Sequence, residues 1–342
     1  MTDIYAVLER LTSVNAVSGD ESKMLETVQE LLKDVGEAYE DSLGNIFCTF
    51  GEGYHIALEA HTDQIGFVVK SVSDDGFIKV EKCGGIDRRM LLASEVVVHG
   101  KEDLRGVIST LPPHLQKQGE EKNAPEISDI SIDIGMSKEQ AERYASPGDK
   151  VSFYAPFTKL FGSRVCGGSL DNRCGAAAVI LAAKYIKEMN LKGVKVTVML
   201  SSQEELGTRG AKSGLYDKNI CQALAVDVSF GYSPLCKKED CGELGKGPMI
   251  GFSPVLDKEI SILLTDTADK LSIPNQREIM GAHTGTDADV ISLTQKGIPT
   301  GLVSIPLKYM HSPCEIIDTE DVVNTAKLLA GYVKEKAGEV NA

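Results

Sequence analysis

The sequence predicts an α/β fold: a mixed, mostly parallel sheet flanked by helices, with a small β-rich unit inserted into it. Three observations predict it. Residues 194–200, VKVTVML, are a β-branched apolar run bounded by Gly193 and a polar turn, the pattern of a strand buried on both faces. Residues from about 166 onward alternate between helical and strand-like periods, as parallel sheets with crossover helices do. Residues 65–165 have a different texture, with short strand-like runs separated by turns.

In chain order, Ser18 and Glu21 have capping-box spacing. Met24, Leu25, Val28, Leu31, Leu32 and Val35 then follow helical period, which predicts an amphipathic helix over 20–35. Strands follow at 46–50 and 55–60, and the second runs straight into His61-Thr62-Asp63. The inserted region carries strand-like runs at 65–72, 76–82, 95–100 and 106–110, then Pro112-Pro113, a polar stretch over 114–126 and a short helical pattern near 137–144. It reads as a barrel or a sandwich. Domain limits follow: 1–64 with 166–342 as one domain, 65–165 as the insert. Beyond it come an Ala-rich helix at 172–189, strands at 194–200, 222–228 and 300–306, and helices at 257–273, 287–296 and 319–336.

Composition removes some classes of function. The net charge of −14 argues against general nucleic-acid or anionic-membrane binding, which needs clustered cations. No apolar run approaches the length of about 18 residues that a membrane helix needs. The first residues lack the basic and apolar regions of a secretory signal. None of the eight cysteines forms a CxxC pair, which points to reduced thiols and a cytoplasmic location.

Polar groups collect just past predicted strand ends, where open α/β sheets place their chemistry. His61 and Asp63 follow 55–60, Glu204 and Glu205 follow 194–200, Asp227 ends 222–228 and His311 follows 300–306. Asp171 opens the helix at 172 within GGSLDNRCG. Singly, each has a plain explanation: a helix N-cap for Asp171, a loop or core histidine for His61, turn residues for Asp63, Asp227 and His311, and a solvated loop for Glu204-Glu205. Jointly, two histidines and three carboxylates suit a pair of divalent metals. Such a pair would acidify a shared water from a pKa of about 15.7 toward 7. Glu204, left uncoordinated, would move protons, and Asp63 would accept the second imidazole N–H of His61.

The motifs AHTDQIGFVV, GGSLDNRCGAA, QEELGTRGA, AVDVS, GTDAD and IPLKYMHSP, in that order, resemble the tetrahedral and glutamyl aminopeptidases, a family of dimetal metallopeptidases. The inserted region resembles it too, in CGGIDRRMLL, GVISTLPPHL and ISIDIGMS. The resemblance spans nearly the whole chain. It implies metal ligands at His61, Asp171, Glu205, Asp227 and His311, with Asp171 bridging, His61 and Asp227 on one metal, and Glu205 and His311 on the other. It implies Glu204 as general base and Asp63 as support for His61. It also implies a phosphorylase/peptidase-like catalytic domain, Zn or Co as the metals, dimerisation through the insert, and assembly into a dodecamer that admits short peptides.

The leading expectation is therefore a metal-dependent aminopeptidase. An N-acyl amino-acid or related amide hydrolase is the enzyme alternative, since it would use the same metals but demand a blocked amine. A glycosidase is disfavoured, because its carboxylates face each other across the scissile bond whereas Glu204 and Glu205 are adjacent. A non-enzymatic scaffold is disfavoured by the completeness of the set. The segment 232–247, with Cys236 and Cys241, and His283 beside GTDAD have no assigned role, although a turn position fits His283 best.

Overall fold

The computed structural model describes residues 3–115 and 124–341. The chain begins with α1 (Ile4–Ser13), α2 (Met24–Leu32), β1 (Ala38–Glu40), β2 (Ile46–Gly51) and β3 (Tyr54–His61). It continues through β4 (Gly66–Val72), β5 (Ile78–Cys83), β6 (Glu95–His99), β7 (Asp103–Ile108), β8 (Ile132–Asp133), α3 (Lys138–Tyr144) and β9 (Lys150–Phe153). Next come β10 (Thr158–Lys159), β11 (Arg164–Gly167), α4 (Leu170–Met189), β12 (Val194–Ser201), α5 (Arg209–Gly214) and β13 (Gln222–Phe230). The last elements are β14 (Met249–Phe252), α6 (Lys258–Lys270), β15 (Gln276–Ile279), α7 (Ala288–Ile291), β16 (Thr300–Leu307), β17 (Glu315–Asp318) and α8 (Thr319–Val340).

Eight strands form one sheet in the order β1-β2-β12-β3-β13-β16-β14-β15. Its centre, β12-β3-β13-β16, is parallel, whereas β1 and β2 on one side and the β14–β16 contact on the other are antiparallel. Central strands of this kind are covered on both faces, as β12 is: from Val196 to Ser201 every side chain is buried, Thr197 and Ser201 included. Small side chains let α4 lie close against the sheet: Cys174 to Ala183 is buried without interruption. The three strands β10-β11-β17 form a separate small sheet.

The β-rich region closes as a six-stranded antiparallel barrel, β4-β5-β8-β7-β6-β9. Closure leaves no unpaired edge along these short strands. The barrel has its own core of Phe67, Val69, Ile78, Val80, Val96, Val98, Ile108, Ile132 and Val151. Ser137 and Gln140 form a complete capping box on α3. The polar stretch expected over 114–126 lies partly outside the described residues. Among the described residues, no helix is long and apolar enough to cross a membrane.

Several local expectations need correction. The helix expected over 20–35 is confined to α2, and Ser18 and Glu21 do not cap it. Instead the Ser18 hydroxyl donates to Asp63, and the Glu21 carboxylate accepts the N–H groups of Gly19 at 2.8 Å and Gln203 at 3.1 Å. Both side chains serve a buried carboxylate and a loop that are distant in sequence. The helix expected over 287–296 shrinks to α7, because Gln295 and Gly297 take left-handed conformations, φ 59° and 93°. Helix α1 lay outside the elements expected from periodicity. Asp3 caps it, accepting from Tyr5 N–H at 3.0 Å, and Val7, Leu8 and Leu11 bury its inner face.

Candidate metal and proton-transfer centre

Parallel strands align their carboxyl ends, and register here sets Ser201 of β12 level with His61 of β3. Beyond Ser201 the chain turns through Gln203, φ 54°, into a single tight turn over Glu204–Leu206, which Gly207 ends at φ 97°. That turn aims Glu204 and Glu205 back over the sheet edge. Asp227 stands near the end of β13, level with Ser304 of β16. His311 follows β16 in a left-handed conformation, φ 61°. Asp171 sits in the first turn of α4 but has extended rather than helical angles, φ −78° and ψ 107°. Ser169, not Asp171, is the N-cap of α4, and it makes no side-chain cap bond.

All seven residues singled out by the sequence come together. Asp171 lies between two imidazoles: Oδ1 is 3.2 Å from His61 Nε2, and Oδ2 is 3.3 Å from His311 Nε2. Asp227 Oδ1 is 3.8 Å from His61 Nε2, and Glu205 Oε1 is 3.2 Å from His311 Nε2. Two groups result, His61–Asp171–Asp227 and Asp171–Glu205–His311, with the donor atoms of each within 4.8 Å of one another. That spacing fits donors converging on a cation with bonds of about 2.0–2.2 Å. Glu204 belongs to neither group; its Oε2 is 3.9 Å from His61 Nε2.

The electrostatics also fit a cation. Burial pushes Glu204 up to about 9, with Asp227, Asp287 and Glu205 adding to the effect. Burial and neighbouring Asp171 raise Glu205, although His311 opposes them. Burial also drives Asp227 well up. Asp171 moves down despite burial, because both imidazoles bond it. His311 rises to about 11 against its burial, drawn up by Asp171 and Glu205. Buried acids crowded this closely repel one another, and positive charge placed among them would relieve that repulsion.

Asp63 was expected beside His61 from the sequence, whereas its hold on the Glu-Glu turn, and the supporting parts of Glu315, Gly85 and Arg173, were not legible there. Asp63 is fully buried and accepts the Ser18 hydroxyl and the N–H groups of Glu204 at 2.9 Å and Glu205 at 3.2 Å. Those two N–H bonds place the Glu-Glu turn, and Oδ1 also faces His61 Nδ1 at 3.4 Å. Glu315 performs the equivalent task opposite, accepting Asp171 N–H at 3.1 Å and His311 N–H at 3.0 Å. The carbonyl of Gly85, from the turn after β5, lies 2.7 Å from His311 Nδ1; it takes that N–H and leaves Nε2 facing the acids. Arg173 is a fully buried guanidinium bonded to the carbonyls of Leu11, Val14 and Thr62 and to Gln64 Oε1. Most of these contacts join residues far apart in sequence, which no local pattern encodes; the Glu315–His311 bond, four residues long, is the exception.

Two undecided elements stand apart. His283 is exposed, its Nδ1 3.8 Å from Asp289 Oδ2, and it does not join the cluster. The 232–247 segment is tied down by a Gly231–Gly242 bridge and by Gly245 and Gly247 N–H groups donating to Asp321, each at 2.7 Å. Asp287 of the GTDAD motif is buried behind the site, its Oδ2 2.6 Å from Ser201 Oγ, which also reaches Glu59 at 2.7 Å.

Residues 44–328 match the family model of the M42 glutamyl aminopeptidases. The lysyl aminopeptidase of Pyrococcus furiosus is 32% identical over 338 residues, covering 97% of each chain. An aminopeptidase of the archaeon Desulfurococcus kamchatkensis superposes with a TM-score of 0.90 at 31% identity, covering 97% of this chain and 94% of its own. The TET1 peptidase of Pyrococcus horikoshii, described as assembling into a tetrahedron or a large octahedral shell, gives a TM-score of 0.85 at 32% identity, over 96% of this chain and 98% of its own.

Proposed function

Because this chain belongs to the M42 glutamyl aminopeptidase family of metal-dependent hydrolases, we propose that it removes N-terminal residues from short peptides, using two divalent cations and Glu204 as general base. The observation that carries this reading is the pair of donor groups sharing Asp171, with Glu204 beside them and in neither. His61 and Asp227 would hold one cation and Glu205 and His311 the other, with Asp171 shared. Zn or Co suits this nitrogen and oxygen donor set.

Bound cations would supply Lewis-acid polarisation of the scissile carbonyl and acidify the attacking water. The chain's own residues do the rest. Glu204 Oε2 takes a proton from the water and returns it to the leaving amine. Asp63 fixes the imidazole of His61 through Nδ1, and its bonds to the Glu204 and Glu205 N–H groups hold the base at its post. Gly85 O and Glu315 do the same for His311.

Residues 65–165 serve in this reading as the inserted dimerisation domain, and 1–64 with 166–342 as the catalytic domain. Dimers joined through this insert would build a dodecamer, a reading supported by the tetrahedron described for the P. horikoshii relative and by a similar structure described as a dodecamer. Location in the cytoplasm follows from the reading of the eight cysteines as reduced thiols.

The test is hydrolysis of free-amine aminoacyl p-nitroanilides, with N-acetylated controls, after chelation and after adding back Zn²⁺ or Co²⁺. Activity restored by metal and confined to free amines is expected. Activity on acylated substrates alone would move the assignment to an amide hydrolase. Preferred residues differ among the relatives, glutamyl in the family's name and lysyl in that of one similar protein.

A further inference from the structure

We propose that Glu278 selects a basic residue at the substrate's N-terminus, its carboxylate receiving the side-chain cation of lysine or arginine. This rests on the aminopeptidase reading above and concerns the side-chain preference that reading leaves open.

Side chains alternate along a strand, so Asp227 and Ser229 of β13 share one face, and Ser304 of β16, level with Asp227, shares it too. Glu278 lies on the edge strand β15. Its register partner on the intervening β14 is Gly251, which carries no side chain to obstruct the path. The Glu278 carboxylate therefore crosses β14 and reaches that face. Ser229 Oγ donates to its Oε1, and Ser304 Oγ donates to its Oε2 at 2.6 Å. Two hydroxyls on adjacent strands thus hold one carboxylate beside a proposed metal ligand.

The charge of this group is what the fold leaves unexplained. Among the described residues, no lysine, arginine or histidine pairs with Glu278, although it is only partly exposed. Its sequence neighbour Arg277 instead lies over the Phe252 ring, 5.8 Å from the centroid. A glutamine would tie the strands together equally well by accepting from one serine and donating to the other. A half-buried carboxylate with only neutral donors retains attraction for a cation.

Reach decides which cation. Asp227 and Ser229 are two residues apart, a rise of about 6–7 Å along the strand, so the carboxylate held between Ser229 and Ser304 stands to one side of the reacting centre. The substrate's α-ammonium is only two bonds from the scissile carbonyl carbon and cannot cover that span while the carbonyl is at the centre. The four-carbon stem of lysine, or the slightly longer arginine side chain, can cover it. A divalent ion is a poorer fit, since two neutral hydroxyls and one carboxylate are a thin donor set. An acidic N-terminal side chain would be repelled.

The experiment uses the metal-loaded enzyme and the p-nitroanilides of Lys, Arg, Leu and Glu. The wild type is expected to give higher kcat/KM on Lys and Arg than on Leu, and least on Glu. Glu278→Gln is expected to lower the Lys/Leu ratio of kcat/KM by about 10- to 100-fold, the value of one charge-assisted contact. Glu278→Lys is expected to shift the preference toward Glu. A merely structural role would lower all substrates together and leave the ratio in place, which would overturn the proposal. Product inhibition of the wild type gives a readout independent of any variant: free lysine should bind more tightly than free leucine, and the reverse order would also overturn it. If the wild type cleaves no free-amine substrate at all, the aminopeptidase reading itself fails, an outcome distinct from loss of basic preference.

Discussion

Asp63→Asn is the perturbation whose consequences the structure specifies most fully. The wild-type carboxylate is wholly buried and is surrounded by donors: the Ser18 hydroxyl, Glu204 N–H at 2.9 Å, Glu205 N–H at 3.2 Å and His61 Nδ1 at 3.4 Å. An amide keeps one acceptor oxygen, and its NH₂ group turns the other side into a donor facing donors. At least one backbone N–H of the Glu-Glu turn then loses its partner. Losing one charge-assisted bond and orphaning one buried N–H costs about 2–5 kcal/mol together. Burial raises this carboxyl, but the His61, Ser18 and Glu204 contacts hold it below its ordinary value, so the charged form is the one the fold favours. Loss of the imidazole's support should weaken metal binding about 10- to 100-fold. Thermal unfolding, competition with a chromogenic chelator and kcat/KM at saturating metal read these effects separately. We expect a lower Tm, weaker metal binding and a kcat that excess metal does not fully restore, because the Glu204 backbone has moved. An Asn variant with wild-type metal affinity and wild-type Tm would refute the reasoning.

Other predictions follow from the same geometry. Glu204→Gln should lower kcat by about 10²–10⁴-fold with metal content unchanged by elemental analysis, since Glu204 lies outside both donor groups. Asp171→Ala should empty one or both metal positions, because both groups need that carboxylate; full occupancy in the variant would contradict its shared role. Gly85→Ala should lower activity and metal affinity together, since a Cβ there would stand 2.9 Å from His311 Nδ1. His55 is buried against Thr197, and burial first, then Lys195, lowers its pKa to about 4. The neutral ring is favoured in the fold, so its contribution is complete above the unfolded pKa and is lost as pH falls from about 6.5 toward 4. That contribution reaches up to about 3 kcal/mol. Denaturant unfolding of wild type and His55→Gln from pH 7.5 to 4.5 should show a difference that shrinks as pH falls; a constant difference would rule the effect out.

The sequence by itself determined the layers and the candidate residues that gather at the strand ends. Strand β12 announces itself because a strand buried on both faces must be apolar at successive positions, and the parallel centre follows from alternation with helices such as α4 and α6. The residues His61, Asp171, Glu204, Glu205, Asp227 and His311 were legible because chemistry restricts which side chains can serve, and strand ends restrict where they can stand. What only the tertiary structure decided depends on separation in sequence. Ser18 and Glu21 match a local capping pattern, yet their partners are Asp63 and Gln203, which no local period encodes. The insert read equally as barrel or sandwich, because alternation fixes which face is buried and not which strands pair; β8 and β9, short and weakly patterned, close it. Glu278 is a bare acid in sequence, and its bonds to Ser229 and Ser304 exist because β13, β16, β14 and β15 are brought into one sheet, with Gly251 between. Local composition fixes what a side chain can do, while register between distant strands fixes which neighbours it meets.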